Sequence, residues 1–355
     1  MLPNIINARS PYIISIEEAG SAQTEIYLYL WNGTGSVPAY PTYVLSKAVP
    51  TPTNSLCQYN ISPYVSEFID HATRQNIYPT YPIDTVDSQW CNVQVKRYAD
   101  GDLLDTKDYL GLDGYGFYSE GENPFNGYFL LDQTTFYYPF NIANDPASDQ
   151  LRQVGQLTLW ADVDWSYKYT NLITSTETTG TFTNSGFQDI PCVIDVNIPE
   201  GNVLEIFDET DNRLAQYYFK PQEECYYNPI TIDFVNKYGA WQRTFMFKAS
   251  YRSLEVSNTE YNLLQADLLS YDILEGQRKT FNSNGFDRVK MNSGWVDASY
   301  AEVLRQLMLS NRILVNGSPA ICLTKTLDIQ DSLNINLINY QIEFKYAYDT
   351  INSVI

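Results

Sequence analysis

The sequence contains very little histidine, on which many nucleophilic enzymes and all histidine-based metal sites depend. It contains one histidine, His71, and no nucleophile or orienting acid in the sequence can be assigned to it. The glycine-rich nucleotide-binding motifs and the Gly-x-Ser-x-Gly nucleophile motif are also absent. We therefore predict that the protein is not an enzyme and has no catalytic residues, no cofactor and no metal site.

Cysteine is scarce and widely spaced. The odd number of cysteines and the lack of any Cys-x-x-Cys pair argue against a disulfide framework or a zinc ribbon. We expect the cysteines to act as small buried hydrophobic side chains in a reducing compartment. They are Cys57, Cys91, Cys192, Cys225 and Cys322.

Positive charge and long apolar runs are scarce as well. The 22 Lys and Arg residues are outnumbered by 42 Asp and Glu residues, which gives a net charge of -20. Nucleic acids and anionic membranes bind to basic surfaces, so we predict no direct nucleic-acid binding. No apolar run approaches the ~20 residues of a membrane helix, and the N-terminus lacks the pattern of a signal peptide. We therefore expect no membrane insertion.

Tyrosine, in contrast, is abundant, with 30 copies among 355 residues. Tyrosine favours strands and is enriched at protein interfaces, because its ring is apolar and its hydroxyl is polar. We expect the tyrosines to line the strands of a large β protein, to contact partner proteins, or to do both. The chain is long enough for two or three domains.

The clearest pattern is a β-hairpin signal at 229–251. Ile230, Ile232 and Phe234 alternate with polar residues before the loop Asn-Lys-Tyr-Gly. The residues after the loop predict a strand with an aromatic inner face and only Arg243 out of pattern. The inner residues of this strand are Trp241, Phe245, Phe247, Ala249 and Tyr251.

The C-terminal region predicts one helix, a tight turn and a final strand. Ser299 and Glu302 have the spacing of a capping box, and the apolar stripe that follows predicts a helix in which Gln306 faces out. The dipeptide Asn316-Gly317 predicts a two-residue hairpin turn. The final strand alternates polar residues with an apolar and aromatic inner row. That inner row is Ile338, Tyr340, Ile342, Phe344, Tyr346 and Tyr348.

From these patterns we predict a mainly β fold of tandem immunoglobulin-like β-sandwich modules, with a small C-terminal α+β part that contains one helix. The middle of the chain contains a glycine-rich loop at 113–124 and a long polar hairpin at 171–185. The predicted domains are an N-terminal β-sandwich at 1–88, a β-rich middle region at 89–188, a second sandwich-like module at 189–260 and a C-terminal α+β module at 261–355.

Two groups of acidic residues are candidates for a chemical site. Asp162 and Asp164 lie near two tryptophans, as in a glycosidase, but alternate residues of a strand are too close to act as acid and nucleophile across a sugar. The second group has the density of a calcium loop without the EF-hand spacing, so we interpret it as a solvated turn. It consists of Asp100, Asp102, Asp105 and Asp108.

Three motifs resemble virion structural proteins of tailed bacteriophages, in particular a group from phages of Bacteroidota and similar marine hosts. They are DGYGFYSEGENP at 113–124, FVNKYGAWQ at 234–242 and LINYQIEFKYAYD at 337–349. The C-terminal helix, hairpin and amphipathic strand are similar in pattern to tail-tip or baseplate proteins of the distal-tail type. None of the motifs is a catalytic signature, so the resemblance implies no site residues.

The resemblance implies a non-enzymatic subunit of a ring or shell around the phage tail, made in the host cytoplasm and incorporated into the virion. Its implied partners are other copies of itself and neighbouring virion proteins. Two alternatives stay open, a ring at the head–tail connector and an adhesin of the tail tip that binds host surface glycan. A glycosidase built on Asp162 and Asp164 is a third.

Overall fold

The computed structural model divides the chain into two compact units. Residues 1–223 with 234–244 form the first unit, and residues 224–233 with 245–355 form the second. Within the described residues the chain is mainly β with two α-helices, which confirms the predicted fold class. The described residues are 4–32, 35–50, 55–70, 83–84, 90–121, 123, 129–139, 153–161, 165–181, 186–193, 201–223, 226–263, 274, 276–297, 299–327 and 338–352.

The described part of the first unit contains four sheets, helix α1 (Ser62–Phe68) and a 3₁₀ turn at Tyr118–Glu120. Its strands are β1 (Asn4–Asn7), β2 (Ile13–Glu17), β3 (Gln23–Trp31), β4 (Tyr43–Ala48), β5 (Leu56–Asn60), β6 (Ile83–Asp84), β7 (Trp90–Ala99), β8 (Asp102–Leu112), β9 (Thr135–Pro139), β10 (Gln153–Ala161), β11 (Ser166–Asn171), β12 (Glu177–Thr181), β13 (Gly186–Val193), β14 (Asn202–Phe207) and β15 (Arg213–Gln222).

The N-terminal part of this unit has two layers around one core. A five-stranded sheet, β1-β8-β7-β3-β4, shares a buried cluster with the β2–β5 ribbon and α1. In this cluster Leu28 of β3 and Val93 of β7 join Ile16 of β2 and Val65 of α1. The predicted boundary at residue 88 does not separate two modules, because β7 pairs with β3 along its length and β8 pairs with β1. Strand pairing between distant segments leaves no signal in local composition.

Two further sheets complete the first unit, in the orders β10-β13-β6 and β12-β11-β14-β15-β9. The sequence places β14 and β15 in one module with the 229–251 hairpin. In the structure they instead pair with β11 and, in parallel, with β9. The polar segment predicted as one long hairpin contributes only the turn and second strand of the β11–β12 hairpin, and its residues 182–185 lie outside the described part.

The strands of the second unit belong to a seven-stranded sheet in the order β17-β16-β20-β21-β22-β19-β18. The predicted boundary at residue 260 falls inside β18, so the predicted C-terminal module and the 229–251 hairpin contribute to one sheet. The elements are β16 (Ile230–Val235), β17 (Trp241–Met246), β18 (Tyr251–Asn262), β19 (Arg278–Val296), α2 (Tyr300–Leu309), β20 (Ile313–Val315), β21 (Ser318–Cys322) and β22 (Ile338–Tyr346).

The predicted hairpin forms as β16 and β17, but its polar rows are also covered. Every residue of both strands is buried, including Asp233 and Arg243. The alternation of apolar and polar residues predicted one covered face, which is wrong for this hairpin. Thr231 shows how a polar residue is accommodated, because its amide and hydroxyl both donate to the side-chain carbonyl of Asn316, at 3.0 and 3.1 Å.

Helix α2 begins after Ser299 as predicted, but the capping box does not form. The Ser299 hydroxyl donates to the carboxylate of Asp297 instead of accepting a bond from the helix backbone. Gln306, predicted to face out, is buried, because the covered face of α2 is wider than the apolar stripe. Within the described residues no helix has the length and apolar character needed to cross a membrane.

The final strand and the turn before it agree with the sequence. Asn316 and Gly317 have φ angles of 48° and 78°, as a two-residue hairpin turn with two left-handed residues requires. In β22 the inner row from Ile338 to Phe344 is buried, whereas Asn339 and Gln341 of the outer row are exposed. Tyr348, predicted to continue the inner row, lies beyond the end of the strand and is exposed.

The two faces of β22 predict opposite responses to substitution. Phe344 is fully buried, so Phe344→Asp should lower the free energy of unfolding by about 4 kcal/mol or more. The neighbouring Glu343 only forms a half-exposed ion pair with Arg288 at 3.3 Å, so Glu343→Ala should cost less than about 1 kcal/mol. Denaturant unfolding of both variants measures this, and a larger loss for Glu343→Ala would contradict the orientation of β22.

Candidate interaction surface

The acidic residues singled out in the sequence are spread along the β7–β8 hairpin, each with its own surroundings. Asp100 accepts hydrogen bonds from the amides of Ala22 and Gln23, both at 3.0 Å. Asp105 pairs with Arg97, whose guanidinium lowers the pKa of that carboxyl. Within the described residues no three His, Cys, Asp or Glu side chains are grouped closely enough to hold a metal ion.

The other chemical candidates are inert or lie outside the described part. His71, Asp162 and Asp164 are among the residues that the structure leaves undescribed. Cys57 and Cys91 are buried free thiols, as expected for small core side chains, whereas Cys322 is only partly buried. Burial raises the pKa of the Cys91 thiol to about 12, so this group stays protonated and unreactive at neutral pH.

Two of the three motifs that carry the resemblance meet in the first unit. The amide of Tyr115, in the glycine-rich loop, donates to the carbonyl of Lys237, in the turn of the β16–β17 hairpin, at 2.7 Å. The two backbones approach closely because glycine stands on both sides. A Cβ at Gly239 would lie 2.8 Å from the Asp113 amide nitrogen, and one at Gly114 would lie 2.8 Å from the Lys237 carbonyl oxygen.

The side chains around this contact strengthen it. The Lys237 ammonium forms an ion pair with Glu120 at 2.5 Å and lies 4.7 Å from the centre of the Phe117 ring. Asn236, which is 1% exposed, donates to the Leu130 carbonyl at 2.8 Å. All of these polar groups are satisfied within the fold. We therefore assign this contact a structural role.

A different kind of surface is the arm made by β18 and β19, defined here as Leu254–Asn262 with Arg278–Asp287. Strand β22 covers β19 only between Arg288 and Val296. Beyond that point the segment after β22 still contacts β19. Thr350 donates a backbone hydrogen bond to the Gly285 carbonyl, and the side-chain amide of Asn284 donates to the Ile351 carbonyl at 2.9 Å. The β18 part of the arm spans about 30 Å at the usual rise of ~3.4 Å per residue.

Among the described strands β18 lies at one of the two edges of the sheet, and every one of its residues is exposed. Its exposed apolar side chains include Tyr251, Leu254 and Val256, with 69%, 54% and 57% of their surface accessible. Only Arg252, Glu255 and Glu260 are charged, and no proline interrupts the edge. Natural proteins usually protect such an edge against pairing with another strand, so a long unprotected one indicates an interaction surface.

The arm has internal contacts that keep its two strands together. The rings of Tyr261 and Phe281 meet edge to face with their centres 5.6 Å apart. Ion pairs join Arg288 to Glu255 and Arg278 to Glu260. An isolated two-stranded ribbon is nevertheless only marginally stable in water, so an added strand would stabilise the arm.

The sequence patterns do not predict this surface. The predicted hairpin ends at Tyr251, and no strand is predicted in the 252–262 segment. The available signal was the alternation of Leu254 and Val256 with polar residues between two tyrosines. That pattern predicts a strand, but it does not distinguish a strand at an edge from one inside a sheet.

A shallow cleft of about 310 Å³ lies at the base of the arm. Tyrosine rings and lysine ammonium groups line it together with two side-chain amides, a set suited to stacking on a sugar ring and hydrogen bonding to its hydroxyl groups. The lining residues are Tyr227, Lys248, Ala249, Tyr251, Lys290, Met291, Asn292 and Gln341.

Comparison with protein-family models and with curated proteins finds no match to this chain.

The close approach of the two loops in the first unit predicts a difference between two glycine substitutions. Gly239 and Gly101 have φ angles of 84° and 90°, but a Cβ at Gly101 would meet no atom within 4 Å. Gly101→Ala should therefore cost about 1 kcal/mol from backbone strain alone. Gly239→Ala should cost about 2–4 kcal/mol, because the added methyl also overlaps the Asp113 backbone. Equal losses in denaturant unfolding would show that the two loops are not packed this closely.

Proposed function

We propose that the protein is a non-enzymatic structural subunit of a tailed-phage virion, placed in the tail or baseplate, that assembles with copies of itself and with neighbouring virion proteins. The observation that carries the proposal is the arm. A strand edge of about 30 Å with exposed apolar side chains suits a protein whose final partners are other proteins.

Addition of a partner strand to the arm would satisfy two requirements at once. It would pair the outward N–H and C=O groups of β18, and it would remove apolar surface of Leu254 and Val256 from water. Burial of apolar surface contributes roughly 25 cal/mol per Å². Assembly through strand pairing is therefore favourable for this chain, and the arm gains stability in the same step.

The overall charge supports a position around a DNA passage. A surface with a net charge of -20 repels the phosphate backbone, so DNA would pass a ring of such subunits without binding to it. This argument applies equally to a ring at the head–tail connector, which is the alternative position within the virion.

The test of this proposal is the native mass of the purified full-length protein together with negative-stain images. We expect a closed ring of fixed copy number. A repeated heterologous contact, alone or combined with another kind of contact, closes into a ring when the rotation between neighbouring subunits is a whole-number fraction of a full turn. A protein that stays monomeric at every concentration measured would contradict self-assembly. Hydrolysis of a host glycan that one Asp or Glu substitution abolishes would contradict the non-enzymatic role.

A second candidate function, a glycan-binding adhesin of the tail tip, is favoured by the cleft at the base of the arm. The exposed rings of Tyr227 and Tyr251 line this cleft beside polar side chains, and aromatic rings stack on the apolar face of a sugar.

The cleft predicts a difference between adjacent tyrosines. If host surface polysaccharide binds there, Tyr227→Ala should weaken saturable binding by at least about tenfold, a change of ~1.4 kcal/mol. Tyr226→Ala is the matched control, because Tyr226 is more exposed than Tyr227 but does not line the cleft. Equal binding by wild type and both variants on a glycan array would exclude the cleft as the site.

A further inference from the structure

We propose that β18 pairs with β18 of a second copy of the chain, antiparallel, about a two-fold axis that passes through Val256. The proposal deepens the proposed function and rests on it, since it names the surface through which copies of the subunit meet. It follows from the position of the strand, the regularity of its outer edge and the order of its side chains.

The outer edge of β18 is regular enough to accept a strand. The β18–β19 ladder shifts register between Ser257 and Thr259, but the extra residue lies on β19, where Asn282 has a φ of 52°. Strand β18 therefore keeps the alternation of a strand from end to end. Among the described strands none occupies its outer side.

The side chains of β18 complement a second copy of themselves. With the axis at Val256, Arg252 of each copy lies opposite Glu260 of the other, so opposite charges meet twice. Tyr251 lies opposite Tyr261 of the other copy on the second face, again twice, and Val256 meets its own counterpart. Such a contact is isologous, with the same surface contributed by both copies.

Neighbouring arrangements lack this match. Moving the axis by one residue places Glu255 opposite Glu255 or Leu254 opposite Glu260. If the axis fell between two residues, each residue with outward N–H and C=O groups would lie opposite a residue of the other copy whose N–H and C=O groups already bond to β19. Parallel stacking in register would place Arg252 beside Arg252 and Glu260 beside Glu260. The charges therefore favour one antiparallel pair over an open stack of copies.

A single isologous pair closes on itself and gives a dimer. A ring built from this subunit then needs a second, different contact, so the strand pair joins subunits within a ring or joins two rings face to face. The strand pair and the ring can therefore form independently of each other.

The first test introduces cysteine at the axis of the full-length protein. Val256→Cys places two thiols on directly opposed residues, whose Cα atoms in an antiparallel pair are ~4.5–5.5 Å apart, within the range of a disulfide. Mild oxidation should give a covalent dimer in high yield. Ser253→Cys alone should give none, but a mixture with Thr259→Cys should cross-link, because residues 253 and 259 lie opposite each other in this register. Wild type controls for the native cysteines.

The second test reverses the charges. Arg252→Glu or Glu260→Arg alone should weaken self-association by at least about tenfold, and the double variant should return to near the wild-type value. Glu260 also pairs with Arg278 within its own chain at 3.8 Å. Arg278→Glu removes only that pair, so it is the control for an effect of the internal ion pair. All six positions changed in the two tests are exposed, so circular dichroism and melting should match wild type.

The outcomes distinguish the two ideas. A native-mass ring whose stability is unchanged by Arg252→Glu, with no dimer from Val256→Cys, overturns the strand pair and leaves the proposed function standing. A dimer that cross-links through Val256→Cys without higher assembly supports the strand pair and overturns the ring. Equal cross-linking by Ser253→Cys alone would show a different register and would also overturn the proposal.

Discussion

The first unit depends on hydrogen bonds to the buried backbone groups of the turn between β16 and β17. Asn236 is almost completely buried, and its side-chain carbonyl accepts the amides of Tyr238 and Ala240, at 3.0 and 3.1 Å, while its amide reaches the Leu130 carbonyl. A buried polar group without a partner costs about 1–3 kcal/mol. The hairpin turn can therefore be buried only because one side chain supplies several of its hydrogen bonds.

The same requirement explains why the arm is different. Strand β17 is the other edge of the seven-stranded sheet, but every residue of β16 and β17 is buried, including their polar residues. At β18 the ladder ends, and the outward N–H and C=O groups face solvent together with Leu254 and Val256. The strands inside the ladder are stable by themselves, whereas the strand at its open end gains stability from a partner.

Several local predictions succeeded because their causes are local. A left-handed turn needs residues such as Asn316 and Gly317, and both have the expected positive φ. The alternation in β22 is confirmed from Ile338 to Phe344. Other local predictions failed where a distant group intervened. The hydroxyl of Ser299 bonds to Asp297 rather than to the helix, and Gln306 is covered although its pattern indicates an outward face.

The sequence by itself determined that the chain is mainly β, where its clearest hairpin and final strand lie, and that its charge is strongly negative. Only the tertiary structure decided which strands are neighbours. It joined β7 to β3, separated β15 from the hairpin and left β18 at an edge. The reason is that alternation reports which face of a strand is covered, whereas pairing depends on hydrogen bonds between segments far apart in the chain.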